Sequence, residues 1–194
     1  KHRPVHGISM NRLKSEGAAT LWFPAVLVLT VVFLIYLPAL NTGFVWDDEY
    51  NILKNPSFRG FSLSNLSWMF TTFHDGNYHP LCWLTFGIDY SLWGLNPTGY
   101  HLTNLLLHGL NSVAFYFFLR MLLGSTGLGN PTSGGSILVW SCVVGVFFFS
   151  LHPLRVESVV WISTRGDLLC GLFLLLTLMA YIRQASEDSP KKRL

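Results

Sequence analysis

The chain has 194 residues, of which 51% are hydrophobic, 15% aromatic and only 12% charged, and its mean hydropathy is +0.41. So few charges cannot cover a water-facing surface, which excludes an ordinary soluble domain and indicates a membrane protein. The net charge of +3 is small but unevenly spread. Lys1, Arg3, Arg12 and Lys14 crowd the start, and Arg183, Lys191, Lys192 and Arg193 crowd the end. Between Asn41 and Gly99 lie Asp47, Asp48, Glu49, Asp75 and Asp89 against only Lys54 and Arg59.

Basic ends around an acidic middle fit a positive-inside topology with both termini cytoplasmic. The basic residues are read as topology determinants, so nucleic acid is not expected as a partner. Residues 1–9 precede Met10 and are set aside as read-through, a tag or the start of a fragment. Residues 1–19 then form a basic cytoplasmic segment, 20–183 a membrane module and 184–194 a polar cytoplasmic tail. Cys82, Cys142 and Cys170 show no metal-type pair spacing, and an odd count argues against a disulfide framework.

The first predicted span is TLWFPAVLVLTVVFLIYLPAL, Thr20 to Leu40, uncharged and long enough to cross about 30 Å of hydrocarbon. The run is long for a signal peptide, and no small-residue cleavage site follows it. The next stretch, 41–98, is expected outside the cytoplasm with short helices of its own. FSLSNLSWMFTTF has an N-cap candidate in Ser62, then Leu63, Leu66, Met69, Phe70 and Phe73 at helical spacing. LCWLTFGIDYSLWG is apolar but interrupted by Asp89 and too short to span, so an interfacial or re-entrant helix is expected. The second span runs from about Gly99 to Leu123, the third over 136–153 and the fourth over 166–183. The turn-rich GSTGLGNPTSGG joins the second and third. The expected fold is therefore all-α and polytopic, with about four transmembrane helices and short interfacial helices in the first outer loop.

Sorted by membrane side, the ionisable residues converge outside the cytoplasm: Asp47, Asp48, Asp75, His79, His101, His152, Arg155, Glu157, Arg165 and Asp167. Ionisable groups gathered beside a bilayer mark a functional site by default. His101, Asn104, His108 and Asn111 share one helix face, where hydrogen bonding between helices is the simplest use. Glu157, Trp161 and Arg165 are spaced as one helix face. They form either a packing stripe or an arginine held by an acid and presented to an anion. A carboxylate in GFVWDDEYN could serve as general base toward an acceptor hydroxyl or as a metal ligand.

GFVWDDEYNILKNP, YHPLCWLTFGIDYSLWGLNPTGYHLTNLLLH and LHPLRVESVVWISTRGDLL together resemble the transmembrane and tetratricopeptide-repeat family of GT-C glycosyltransferases, which are related to protein O-mannosyltransferases. The wording is closer to bacterial than to animal members, and the resemblance covers roughly residues 20–183. It implies a partial GT-C fold. It also implies transfer of a sugar, mannose, from a polyprenyl- or dolichyl-phosphate donor to protein Ser/Thr hydroxyls on the non-cytoplasmic face. The expected partners are that donor, a protein acceptor and membrane lipids. The expected location is the bacterial inner membrane with the site facing the periplasm, or alternatively the endoplasmic reticulum with the site luminal. By this resemblance Asp47 is the base and Asp48 orients a substrate. Arg165, positioned by Glu157 and joined by Arg155, holds the donor phosphate, and His79, His101 and His152 bind substrate. No metal ligand is assigned, and a divalent cation is left open as cofactor. A GT-C module has more spans than four and is followed by tetratricopeptide repeats, so the chain is expected to be an N-terminal portion. Two other readings compete: a lipid-binding or scaffolding membrane protein without catalysis, and a metal or haem site built from His79, His101, His108 and His152.

Overall fold

The computed structural model describes residues 18–125 and 134–187, in which the regular structure is entirely helical. One antiparallel bridge, His74 to Asn77, is the sole β-type pairing among the described residues. The basic segment before residue 18, most of the expected turn-rich connection and the end of the tail lie outside the described residues.

Helix α1 (Ala18–Tyr36) runs into a tight 3-10 turn, Leu37–Asn41, started by Pro38. A π-turn at Glu49–Leu53 follows, then α2 (Leu63–Thr71), α3 (Pro80–Trp93) and α4 (Pro97–Ser125). The chain continues through α5 (Gly134–Ser150), α6 (Arg155–Val160), a 3-10 turn at Ile162–Thr164 and α7 (Arg165–Glu187). Three segments are long and apolar enough to cross a bilayer: Trp22–Asn41, Pro97–Gly124 and Ile162–Ala185. They match the first, second and fourth expected spans. The expected third span is α5, which is uncharged but has 17 residues, about 26 Å at 1.5 Å per residue, at the short limit for crossing. Large exposed apolar side chains such as Phe23, Phe148, Phe173 and Leu174 suit an environment of lipid.

The chain divides into two compact units. The first comprises the described residues through Val32, those of Gly109–His152, and those from Leu172 onward. Its interior is built from Val28 and Val32 of α1, Tyr116 of α4, and Cys142, Val143 and Val146 of α5. Phe115 packs against Phe149 at 4.8 Å between ring centres, and Gly145 lets α5 approach Leu119 closely.

The second unit, Phe33–His108 with Pro153–Gly171, carries nearly all the candidate residues. The expected cap of α2 is present: the Ser62 hydroxyl accepts from the Asn65 N–H at 3.2 Å. Met69 of this helix is buried and Leu63 is 88% exposed, as suits a helix lying at a membrane surface, whereas Phe73 falls beyond the helix end at Thr71. Pro80 opens α3 and Gly94, with φ of 61°, ends it. At 14 residues, about 21 Å, α3 does not span. Its inner face brings Cys82, Trp83 and Phe86 into a core with Ile52, Phe58, Met69, Tyr100 and Ile162. Gly87 permits this approach, since a Cβ there would lie 3.1 Å from both the Met69 methyl and the Phe58 carbonyl.

At the centre of that core is an ion pair between Arg165 and Asp89 at 2.6 Å, both side chains almost wholly buried. Arg165 Nε donates to Asn104 Oδ1 at 2.7 Å, one terminal nitrogen donates to Thr85 Oγ1 and the other to the Tyr100 carbonyl. The guanidinium also lies over the Phe86 ring at 4.4 Å. Thr103 donates to the second oxygen of Asp89 at 2.6 Å. Burial pushes the Asp89 carboxyl above the ordinary carboxylate range, while Arg165 and the Thr103 hydroxyl draw it back down.

A buried pair loses most when one partner is removed, because the other charge is left uncompensated. Asp89→Ala is expected to destabilise the protein by about 3–5 kcal/mol. The double replacement Asp89→Leu with Arg165→Met is expected to recover most of that loss. Thermal unfolding in detergent distinguishes the two, and equal losses in both variants would mean the charges are not coupled.

Candidate active site

The three acids that follow the first span have separate fates. Asp48 is fully buried. Its Oδ2 accepts from the Val45 N–H at 3.1 Å, and its Oδ1 accepts from the Ser163 N–H and hydroxyl at 2.8 and 2.6 Å. Three donors compensate the lost hydration of this carboxylate. Asp48 is thus a clasp that joins the loop after α1 to the turn before α7. Asp47 points the other way and is exposed, and its Oδ1 accepts from the Trp161 indole N–H at 2.8 Å. Trp46 sits at φ of 52°, an unusual backbone conformation for a bulky residue, with its ring edge-to-face on Trp161 at 5.0 Å. Glu49 is a surface group in the first residue of the π-turn, paired with Lys54 at 2.8 Å. A hydrogen bond and the charge of Lys54 lower its pKa.

Beside Asp47 a cleft of about 120 Å³ opens. Asn51 and Ser163 line it with Asp47; His74, Asp75, Asn77 and His79 contribute from the loop before α3, and Cys82, Trp83 and Phe86 from α3 itself. That loop turns at Asp75-Gly76, both with positive φ, as in a type I′ turn. His74 and Asn77 exchange backbone hydrogen bonds of 3.0 Å across it. The turn packs the His74 ring against Tyr50, stacked at 4.9 Å, and edge-on to Trp83 at 5.2 Å. Burial pushes the Cys82 thiol up to about 11 although Arg165 acts in the opposite direction.

Of the residues singled out by sequence, Asp47, Asp75 and His79 line this cleft. His101 is buried, with Nε2 3.0 Å from the Thr42 hydroxyl, and its neighbours on the polar stripe, Asn104, His108 and Asn111, are buried as well. His108 packs edge-on against Tyr36. His152 is exposed and belongs to the other unit. Arg155 is half-buried at the first residue of α6, and the Glu157 side chain is exposed.

The expected helix face of Glu157, Trp161 and Arg165 does not form. Helix α6 stops at Val160, and Trp161 is extended, with ψ of 117°. Competing hydrogen bonds cause the break. Asn104 donates to the carbonyls of Val159 and Trp161, Thr164 Oγ1 donates to those of Glu157 and Trp161, and Asp48 takes the Ser163 N–H. Arg165 consequently pairs with Asp89 rather than Glu157. Among the described residues, no group of three or more His, Cys, Asp or Glu side chains is close enough to hold a metal ion.

Sequence inspection marked Trp161 only as part of a helix face, and it missed Ser163, His74 and Asn51. Nothing in the spacing of these three marks them, because Asn51 and Ser163 meet across 112 residues of chain and the His74 ring is placed by the Asp75-Gly76 turn. Asp89 did carry a signal, as a lone acid in an apolar run, and such a group calls for a buried partner.

No protein-family model matches the chain, and no solved structure matches it significantly. Similarity to curated proteins is clear. The chain is 33% identical over 160 residues to Protein O-mannosyl-transferase TMTC2 of Homo sapiens, covering 78% of this chain and 18% of that protein. It is 31% identical over 170 residues to Tmtc2 of Drosophila melanogaster, covering 83% and 17%. It is 30% identical over 186 residues to TMTC4 of Mus musculus, covering 88% and 24%. The homologues are thus protein O-mannosyl-transferases of animals, and the chain spans less than a quarter of the length of each of these three. The similarity and the apolar helices agree on an integral membrane protein.

The high Cys82 pKa gives a direct chemical check on the cleft. In a Cys142→Ser, Cys170→Ser background, alkylation of Cys82 by iodoacetamide should be slow at pH 8. Its rate should rise about tenfold per pH unit toward 11, because the thiolate is the nucleophile. A rate already level at pH 8 would contradict the buried, apolar setting of the thiol.

Proposed function

We propose that this chain carries the acceptor-facing acid and its setting in a membrane glycosyltransferase that moves mannose from a polyprenyl- or dolichyl-phosphate donor to protein Ser/Thr hydroxyls. The observation that carries the proposal is the division of labour in the acid pair. Asp48 is spent on holding the loop, and Asp47 is presented at a polar cleft with one oxygen anchored by Trp161. The names of the homologues supply the reaction class.

A serine or threonine hydroxyl is a weak nucleophile, and a carboxylate that removes its proton during attack lowers the barrier. With Oδ1 of Asp47 engaged by the indole, Oδ2 faces the proton. A base held in one orientation saves the entropy of finding it. As the hydroxyl oxygen bonds to the anomeric carbon from the face opposite the phosphate, the sugar–phosphate bond breaks and the configuration inverts. The departing lipid phosphate gains charge and needs a cation. Arg165 is already engaged by Asp89, Asn104, Thr85, Tyr100 and Phe86, so a phosphate there would have to dismantle the core. The phosphate-holding role is therefore assigned to Arg155, the other arginine that the sequence offers, and Arg165 acts through its grip on Asn104.

On this proposal the cleft lies on the non-cytoplasmic face, as the acidic outer segment and the basic ends imply. That face is the periplasm in a bacterial member or the lumen of the endoplasmic reticulum otherwise. The apolar spans would accommodate the polyprenyl tail.

In the full-length protein, Asp47→Asn should lower kcat for transfer to a Ser/Thr peptide by a factor of about 10² or more, with membrane insertion unchanged. Undiminished transfer by that variant would remove Asp47 from the base role. Trp161→Phe keeps the ring and loses the donor. It should lower kcat about tenfold with KM little altered, as expected for a contact that orients the base.

A further inference from the structure

Two side chains that line the cleft carry buried polar atoms that the transfer mechanism does not use. Trp83 is 5% exposed, lines the cleft, and its indole N–H has no hydrogen-bond partner among the described residues. His74 Nε2 is likewise buried without a partner, on a ring held edge-on to Trp83. Buried polar groups are nearly always paired, so two orphans in one cleft call for a ligand.

Their chemistry selects the ligand class. An indole N–H can only donate and therefore needs an acceptor. The carboxylates of Asp47 and Asp75 accept, and need a donor or a cation. A metal cation would satisfy the acids and leave the indole unpaired. An anion would accept from the indole and be repelled by both acids, and among the described residues no lysine or arginine lines the cleft to offset that repulsion. A hydroxyl both donates and accepts, so a ring bearing several hydroxyls satisfies all of these groups at once. At about 120 Å³ the cleft has room for several waters or for the hydroxyl-bearing edge of one sugar ring.

We propose that Trp83 Nε1 and His74 Nε2 form a hydroxyl-reading subsite that binds the transferred sugar beside Asp47, with the lipid phosphate outside the cleft. This subsite rests on the glycosyltransferase assignment for the identity of its natural sugar, but its binding can be measured without any transfer. The two residues are specificity determinants: they fix which edge of the ring faces the acceptor.

The test is saturation-transfer NMR with methyl α-mannoside on the full-length protein in detergent, comparing wild type with two variants. His74→Phe preserves the stack on Tyr50 and removes both ring nitrogens. Trp83→Phe preserves an aromatic ring in the core and removes the indole donor. Because Trp83 packs on Phe58, Trp68 and Phe86, the less buried His74 variant guards against simple misfolding. Each variant should bind the mannoside about tenfold more weakly, the usual effect of losing one buried hydrogen bond. No binding to the wild type, or equal binding by all three proteins, overturns the subsite and leaves water as the partner of the two nitrogens. Nitrogen-dependent binding without transfer by the wild type would remove the transferase assignment and keep the subsite. Unchanged transfer by both variants would do the reverse.

Discussion

The buried pair of Arg165 and Asp89 organises the second unit. Each charge costs several kcal/mol to desolvate, and mutual attraction offsets that cost only when the remaining donors and acceptors are also satisfied. Here they are tied in by Thr85, Asn104, Tyr100 and Thr103. The arrangement pins α3, α4 and the start of α7 to one another. It also has a directional consequence. With its oxygen committed to Arg165, Asn104 turns its amide nitrogen toward the carbonyls of Val159 and Trp161. Those carbonyls flank the end of α6, and the break in the helix there places the Trp161 indole against Asp47.

The acid pair shows how one short motif serves two needs. Neighbouring residues on an extended or turning backbone point in opposite directions, so one carboxylate can enter the protein while the next leaves it. Asp48 is fully engaged by three donors, and a group so held is a fastener rather than a reagent. Asp47 has one anchored oxygen and an open side. The positive φ of Trp46 sets the unusual backbone that leads into the pair. The negative, hydrogen-bonding cleft suits a neutral sugar and an incoming hydroxyl. It is a poor place for phosphate, so on the proposed reaction the two ends of the donor would be held apart. The homologues are several times longer than this chain.

Much of the fold could be read directly from the sequence. Long apolar runs with few or no charges declared themselves as spans. Ser62 marked the start of α2 through its capping chemistry, and the polar stripe from His101 to Asn111 predicted burial against protein. The site was less legible. Asp47 stood out by its place after the first span, but Asp48 looked the same and proved to be a clasp. The i,i+4 spacing of Glu157, Trp161 and Arg165 suggested one helix face. Tertiary hydrogen bonds from Asn104 and Asp48 overrode that local period, and one-dimensional spacing cannot register such partners. His74 and Trp83 were equally silent, since they meet through the Asp75-Gly76 turn.

The central claim is that Arg165 builds the frame while Asp47 meets the substrates. An experimental structure of the full-length protein with a lipid-phosphate sugar and an acceptor peptide bound tests it most directly. Arg165 should remain within hydrogen-bond distance of Asp89, and the acceptor hydroxyl should lie against Asp47, with Asp48 still on Ser163. A guanidinium released from Asp89 and bound to the donor phosphate, or an acceptor hydroxyl on any other acid, would contradict it.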